Sequence, residues 1–227
     1  MLPVIRQEGT EFMDLAAIRK IREKDVYPEL FGEANRPPFK LQQEVFGAFG
    51  DVEVDAHWLE FQICEFKPTA ERASWLYVTS GYSDPQGVDP ADYNPNGESG
   101  VGVEFFLETE EKADWAIMRL QSLLAYDLLL ADGQVDGEPL AFHDVIPLNH
   151  PVDGNDRCQI MNMVMIPPER PPEAFSLPSG NVMLAGFVGI TNAERDFAAQ
   201  FGMEHLTDKL RAAEACPVTL PKRESVV

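Results

Sequence analysis

Several groups of residues in this chain have types and spacings that could support chemistry. One is Asp92-Tyr-Asn94-Pro-Asn96-Gly97, which opens like a calcium loop: oxygen ligands at positions one, three and five, then a turn glycine. The register then fails. The twelfth position, where a bidentate Glu belongs, is Val103, and Glu104 falls one residue late. Pro95 stiffens the turn and a strand follows in place of a helix, so the stretch reads as an acidic, Asn-rich turn. His143 and His150 stand close together beside Asp144, but zinc needs three or four ligands, and no Cys or further His lies at metal-site spacing. These two, with His57 and His205, read as ordinary strand-end and turn residues. Ser80 follows a strand as an esterase serine does, yet Val78 occupies the position of the first glycine of a nucleophile elbow. The Thr79 and Ser80 hydroxyls are therefore expected to make turn hydrogen bonds beside Gly81. Cys64 has no basic neighbour before Lys67 to lower its thiol pKa. Gly100 and Gly102 lack the Lys and following helix of a phosphate cradle. Alternating Met161, Met163 and Met165 read as adaptable core packing. The residues thus predict no catalytic group, no metal and no cofactor. The alternative is a hydrolase or metal-binding enzyme using carboxylates around the 82–104 loop, although spacing alone selects no pair.

The elements that must position these residues centre on Trp75 to Glu108. A short strand ends at Gly81. A second strand alternates Val101, Val103, Phe105 and Leu107, and a long loop rich in Pro, Gly, Asn and Asp joins the two. Long loops between strands are often functional. Upstream, a helix capped by Thr10 is predicted to run to about Val26, with Phe12, Leu15, Ile18 and Ile21 on one face and Pro28 after its end. Residues 35–38 form a linker. Strands are predicted at 41–49 and 51–66, the latter with Leu59, Phe61 and Ile63 inward and Glu60, Gln62 and Cys64 on a wet face. Thr109, followed by Glu110 and Glu111, is expected to cap a largely buried helix ending near Leu130. Strands follow at 142–148, 158–166 and 182–190, the last apolar enough for a sheet centre. Thr191-Asn-Ala-Glu194 is a capping box opening a helix that Gly202 ends or bends. A second helix reaches about Ala213, and the tail after Pro217 is expected to fray. The fold class is α/β (α+β): a single domain with a mixed, largely antiparallel sheet and helices packed on it. Residues 1–40 form a helix and linker against the main domain at 41–214, and 215–227 form the tail.

The net charge is −20, and it is uneven. Between Gly81 and Asp156 sixteen acids face only Lys112 and Arg119, so this segment carries −14. Such a field repels phosphate backbones and anionic lipid, which argues against nucleic acid and membrane, and it favours a basic protein partner. Three widely spaced cysteines read as reduced thiols of a cytoplasmic protein. The N-terminus lacks a basic start followed by an apolar run, and no window is apolar for long enough to span a bilayer.

Two strings then stand out: Trp75-Leu-Tyr-Val-Thr-Ser-Gly-Tyr-Ser-Asp84 and Ser99-Gly-Val-Gly-Val-Glu-Phe-Phe-Leu107. With the Trp115 helix and the Gly189-Ile-Thr-Asn-Ala-Glu194 helix entry, they give a chain that resembles the Suppressor of fused domain family from about Asp51 to Arg211. Tyr82 stands where the family often has Met or Leu. The resemblance implies a mixed α/β domain without catalytic residues. Animal members hold transcription factors by pairing an extended peptide with strands between two halves of a longer protein, and this chain is similar to the N-terminal half. Short bacterial members include proteins regarded as immunity proteins that block secreted toxins. The expected function is therefore non-enzymatic protein binding to a basic toxin or regulatory protein. The expected contacts are Tyr82, Asp84, Asp89, Asp92 and Tyr93 of the 82–100 loop, with carboxylates steering the partner and aromatics anchoring it.

Overall fold

The two longest strands, β4 (Glu98–Thr109) and β8 (Gly180–Thr191), run parallel through the middle of the sheet, with Val103 to Leu107 opposite Met183 to Phe187. The structure is a computed structural model that describes residues 14–170 and 172–227. The proposed Thr10 cap and Phe12 lie outside the described residues. Outward from β4 come β3 (Trp75–Ser80), β2 (Gln62–Phe66) and β1 (Phe39–Lys40). Outward from β8 come β6 (Ile160–Ile166) and β5 (Val145–Pro147). Strand β7 (Ala174–Leu177) pairs with β8, and β9 (Val218–Thr219) pairs with β4. Among the described residues only β4–β8 and β4–β9 are parallel, so the sheet is mixed and largely antiparallel, as the sequence predicts.

Strand periodicity sends alternate side chains to opposite faces. Ile63, Tyr77, Phe105, Met163, Met165 and Phe187 pack against the long helix α4 (Asp114–Ala131). Their neighbours Cys64, Val78 and Phe106 pack on the other face against α1 (Leu15–Ile21) and α2 (Tyr27–Phe31), which a π turn at Arg22–Val26 joins into one helical segment. Val164, Ile166, Val188 and Ile190 meet α5 (Asn192–Phe201) and α6 (Met203–Ala212) on that same side. The sheet is thus covered on both faces, which is why its central strands are largely apolar. The methionine stripe packs as core, with Met163 and Met165 buried.

The structure corrects several local expectations. Residues 41–49 are not a strand: Gln43–Phe46 form a short helix, α3, and Gly47–Phe49 a 3-10 turn, because Phe46 turns inward to stack on Trp58 with ring centroids 5.8 Å apart. The strand predicted at 51–66 is shortened to Gln62–Phe66, and Cys64 on its supposed wet face is buried beneath the N-terminal helical segment. That segment continues past Val26, since Pro28 sits at the start of α2, where its missing N–H costs little. Thr109 ends β4 and does not cap a helix: α4 starts at Asp114. The capping box at Thr191 and Glu194 forms as expected.

The tail does not fray. Strand β9 lies beside β4 at Glu108 and Thr109, and Thr219 accepts a hydrogen bond from Gly189 N at 2.9 Å. Beyond it, the Arg223 guanidinium donates to both Glu194 carboxylate oxygens and to the Gly189 carbonyl.

Candidate functional site

Between β3 and β4 the chain leaves the sheet at Gly81 and returns at Glu98. Two glycines permit the path. Gly81 (φ +121°) passes so close to Phe61 that a Cβ would lie 2.6 Å from its ring. Gly100 has φ +57°, and a Cβ there would lie 2.4 Å from the Asp84 carbonyl oxygen. The loop borders a groove of about 430 Å3. Trp58, Phe61 and Leu128 line it with apolar side chains, while Asp92, Glu98 and Asp132 give it carboxylates. Val88 and Val101, at 44% and 53% exposure, present apolar side chains at the same place.

The five residues singled out from sequence separate into two groups. Tyr82 and Asp84 are 1% and 2% exposed, so neither offers a free side chain to a partner. Tyr82 packs in the α4-side core and donates a 2.6 Å hydrogen bond to Asp127 on α4. Burial, and then the Asp127 carboxylate, pushes the Tyr82 hydroxyl pKa well up. Asp127 is itself raised, first by burial. Asp84 is bound by two arginines of the N-terminal helical segment, Arg19 at 2.5 Å and Arg22 at 2.8 Å. Asp89 and Asp92 are exposed, and Asp89 caps the short turn at Pro90–Asp92 through Ala91 N. Tyr93 is half-buried against the cluster that holds Ile18 and Tyr27. Its hydroxyl is pushed up by burial and by the nearby Asp14, Asp84 and Asp89.

Beneath the loop lies a buried ionic network that sequence reading missed. The Arg22 side chain has no exposure. Its Nε donates to Ser80 Oγ at 3.0 Å and its Nη1 to Ser83 Oγ at 3.1 Å, with Glu104 3.5 Å away. Glu104 in turn accepts from Thr79 Oγ1, Gly81 N, Ser83 N and Ser83 Oγ. Burial works against the charged guanidinium; Glu104, Tyr27 and Asp84 more than offset it and raise its pKa. The Thr79 and Ser80 hydroxyls therefore serve this network, and not the turn alone. A signal for it existed. Glu104 interrupts the apolar run of a strand buried on both faces, where a carboxylate needs an internal partner.

The calcium-like stretch holds itself together, with Asn94 Oδ1 accepting from Asn96 N. Among the described residues no group of three or more His, Cys, Asp or Glu is placed to hold a metal ion. His150 lies against Arg119, with Nδ1 and Nη2 2.9 Å apart. No helix among the described residues is long and apolar enough to cross a membrane.

The family description "Suppressor of fused protein (SUFU)" matches residues 57–224. The chain belongs to the Suppressor of fused family. Solved structures share its fold at low identity. Drosophila Suppressor of Fused aligns with a TM-score of 0.56 and 18% identity over 73% of this chain, which spans only 42% of that protein's chain. A chain from the Sufu–Fu complex aligns at 0.57 and 17%, covering 84% of this chain and 93% of that one. A SUFU homologue from Neisseria gonorrhoeae aligns at 0.59 and 16%, covering 96% and 98%. No curated protein sequence matches the chain. Relative to the family match, Arg19, Arg22 and Tyr27 come from outside residues 57–224, whereas Asp84 and Glu104 lie inside them.

Proposed function

We propose that this Suppressor of fused-family domain is a non-enzymatic protein-binding module that receives a basic protein partner on the face formed by the 84–98 loop and its groove. The observation carrying the reading is one surface where exposed Val88 and Val101 border a groove rimmed by Asp92, Glu98 and Asp132. The −14 charge of residues 81–156 would steer a cation-rich partner there, and the apolar side chains would retain it. Asp89, Asp92 and Tyr93 remain the contact residues of this reading, while Tyr82 and Asp84 support the loop from beneath. The Sufu–Fu complex shows that a relative with this fold is found with a protein partner. The partner here is a toxin neutralised by occlusion, or a basic regulatory protein. Three unpaired cysteines, two of them buried, accord with work in the cytoplasm. The enzymatic alternative loses its deepest carboxylate, because Glu104 is occupied by four internal donors.

The test is capture of partners by the immobilised wild-type chain and by a Val101→Lys, Asp92→Lys variant, at low and high salt. Capture that the variant loses, and that weakens as salt rises, supports the reading. Equal capture by both proteins overturns it.

A further inference from the structure

The N-terminal helical segment grips the candidate binding loop at two places. Arg19 and Arg22 hold the two oxygens of Asp84, three residues after the chain leaves the sheet at Gly81. Farther along, Tyr93 packs into the cluster that contains Ile18, Ile21 and Tyr27 of the same segment. Asp84 and Tyr93 both line the groove. Apart from these contacts and a 2.8 Å bond from Asn181 N of β8 to Gly97 O at the far end, the backbone hydrogen bonds found for 85–97 among the described residues are short turn bonds, such as Val88 N to Pro85 O and Gly97 N to Asn94 O. The segment crosses outside the sheet and donates to no strand ladder, although the Tyr27 hydroxyl donates to Thr79 O at 2.6 Å. Its grip centres on a π turn, an irregularity that often accompanies functional adjustment in helices.

We infer that this helical segment is a clasp that regulates the groove: docked, it holds the loop in the partner-receiving shape, and undocked, it releases the loop while the sheet stays folded. The physical basis is the uneven stability of folded proteins, in which peripheral elements open at lower cost than the core. Undocking removes both cations from Asp84 and leaves Glu104 with hydroxyl and amide donors only. The loop then has no charge partner fixing its root, and the bed of Tyr93 loses Ile18, Ile21 and Tyr27. Arg19 and Arg22 are positioning residues: they act through Asp84. The regulatory meaning rests on the groove being the partner site, but the clasp itself can be observed without any partner.

The experiment is amide hydrogen exchange on the full chain, comparing wild type with Arg19→Ala, Arg19→Lys and Arg22→Lys. The expected result is exchange across 81–97 that rises about tenfold in Arg19→Ala with β6 and β8 unchanged, that Arg19→Lys largely restores, and that in Arg22→Lys rises more over 81–97 than over β6 and β8. Loop exchange equal to wild type in both disrupted variants overturns the clasp. So does a rise that is uniform over loop and sheet in Arg19→Ala, whose partly exposed side chain leaves the core packed. Partner capture is read separately. A loosened loop with unaltered capture leaves the clasp standing and removes the groove as the binding face, and unaltered exchange leaves the groove reading standing.

Discussion

Nη2 of Arg22 lies 2.8 Å from Oδ1 of Asp84, and neither side chain touches solvent. Neither atom has another hydrogen-bond partner among the described residues, so the two depend on each other. Breaking a buried pair from one side leaves a charge that nothing compensates. Arg22→Met should therefore cost about 3–5 kcal/mol, read as a lower urea midpoint with an unchanged m-value. A cost below about 1 kcal/mol would show that water reaches Asp84 and Glu104 once the guanidinium is gone.

Tyr82 is buried between Phe61, Phe105 and α4, and its hydroxyl is the side-chain partner of Asp127. Tyr82→Phe keeps the ring and removes the donor. The expected loss is about 1–3 kcal/mol, because a buried carboxylate oxygen loses its partner. Asp127 also accepts from Leu140 N, so a cycle with Asp127→Asn should show coupling between positions 82 and 127. Additive losses would contradict the contact.

Gly100 combines a left-handed backbone with the near contact to the Asp84 carbonyl. Gly100→Ala should destabilise by about 1–3 kcal/mol, and it should perturb NMR signals of the 84–98 loop more than those of β6. Gly133, also at positive φ but with open space around its Cβ position, is the control: Gly133→Ala should show backbone strain without the loop displacement.

Glu194 ties α5, β8 and the tail together. Burial works against its charge, but Arg223 and the amides of Thr191 and Val226 prevail, so its pKa lies below the ordinary 4.5. Because the folded value is the lower one, the stability it contributes is present above pH 4.5 and is lost as pH falls through the folded value. Acid unfolding of wild type should therefore be steeper in that window than unfolding of Glu194→Gln. Removing residues 221–227 should flatten it similarly, because Arg223 leaves with them. Parallel pH curves would refute this role.

Asp89→Asn and Asp92→Asn test the surface by itself. Asn keeps the Asp89 cap, and both positions are exposed, so stability should move by less than about 0.5 kcal/mol. Capture of a basic partner should slow, with a weaker dependence on salt. Capture indifferent to both changes would separate the acidic rim from binding.

The strands around Trp75–Leu107, the α4 helix, the Thr191 capping box and the apolar central strand were legible in the sequence, because each is announced by a local period or a cap. Strand β7 was not: Ala174-Phe-Ser-Leu177 sits among prolines and takes its strand form from the ladder with β8. Strand β9 was hidden for the same reason, two residues whose partner lies over a hundred positions away in sequence. The stretch at 41–49 was misread because its apolar residues follow what they pack on, Phe46 on Trp58, and not a clean period.

The candidate site divides along the same line. By itself the amino-acid order determined the long loop, its acidity and the family, since charge and the strings at 75–84 and 99–107 are properties of neighbouring residues. Only the tertiary structure decided which carboxylates are free. Asp84 and Asp92 look alike in the chain, but Asp84 lies within reach of Arg19 and Arg22, some sixty residues earlier, and Asp92 does not. Burial and ion pairing depend on the distances that folding creates between remote segments, and no local spacing encodes them.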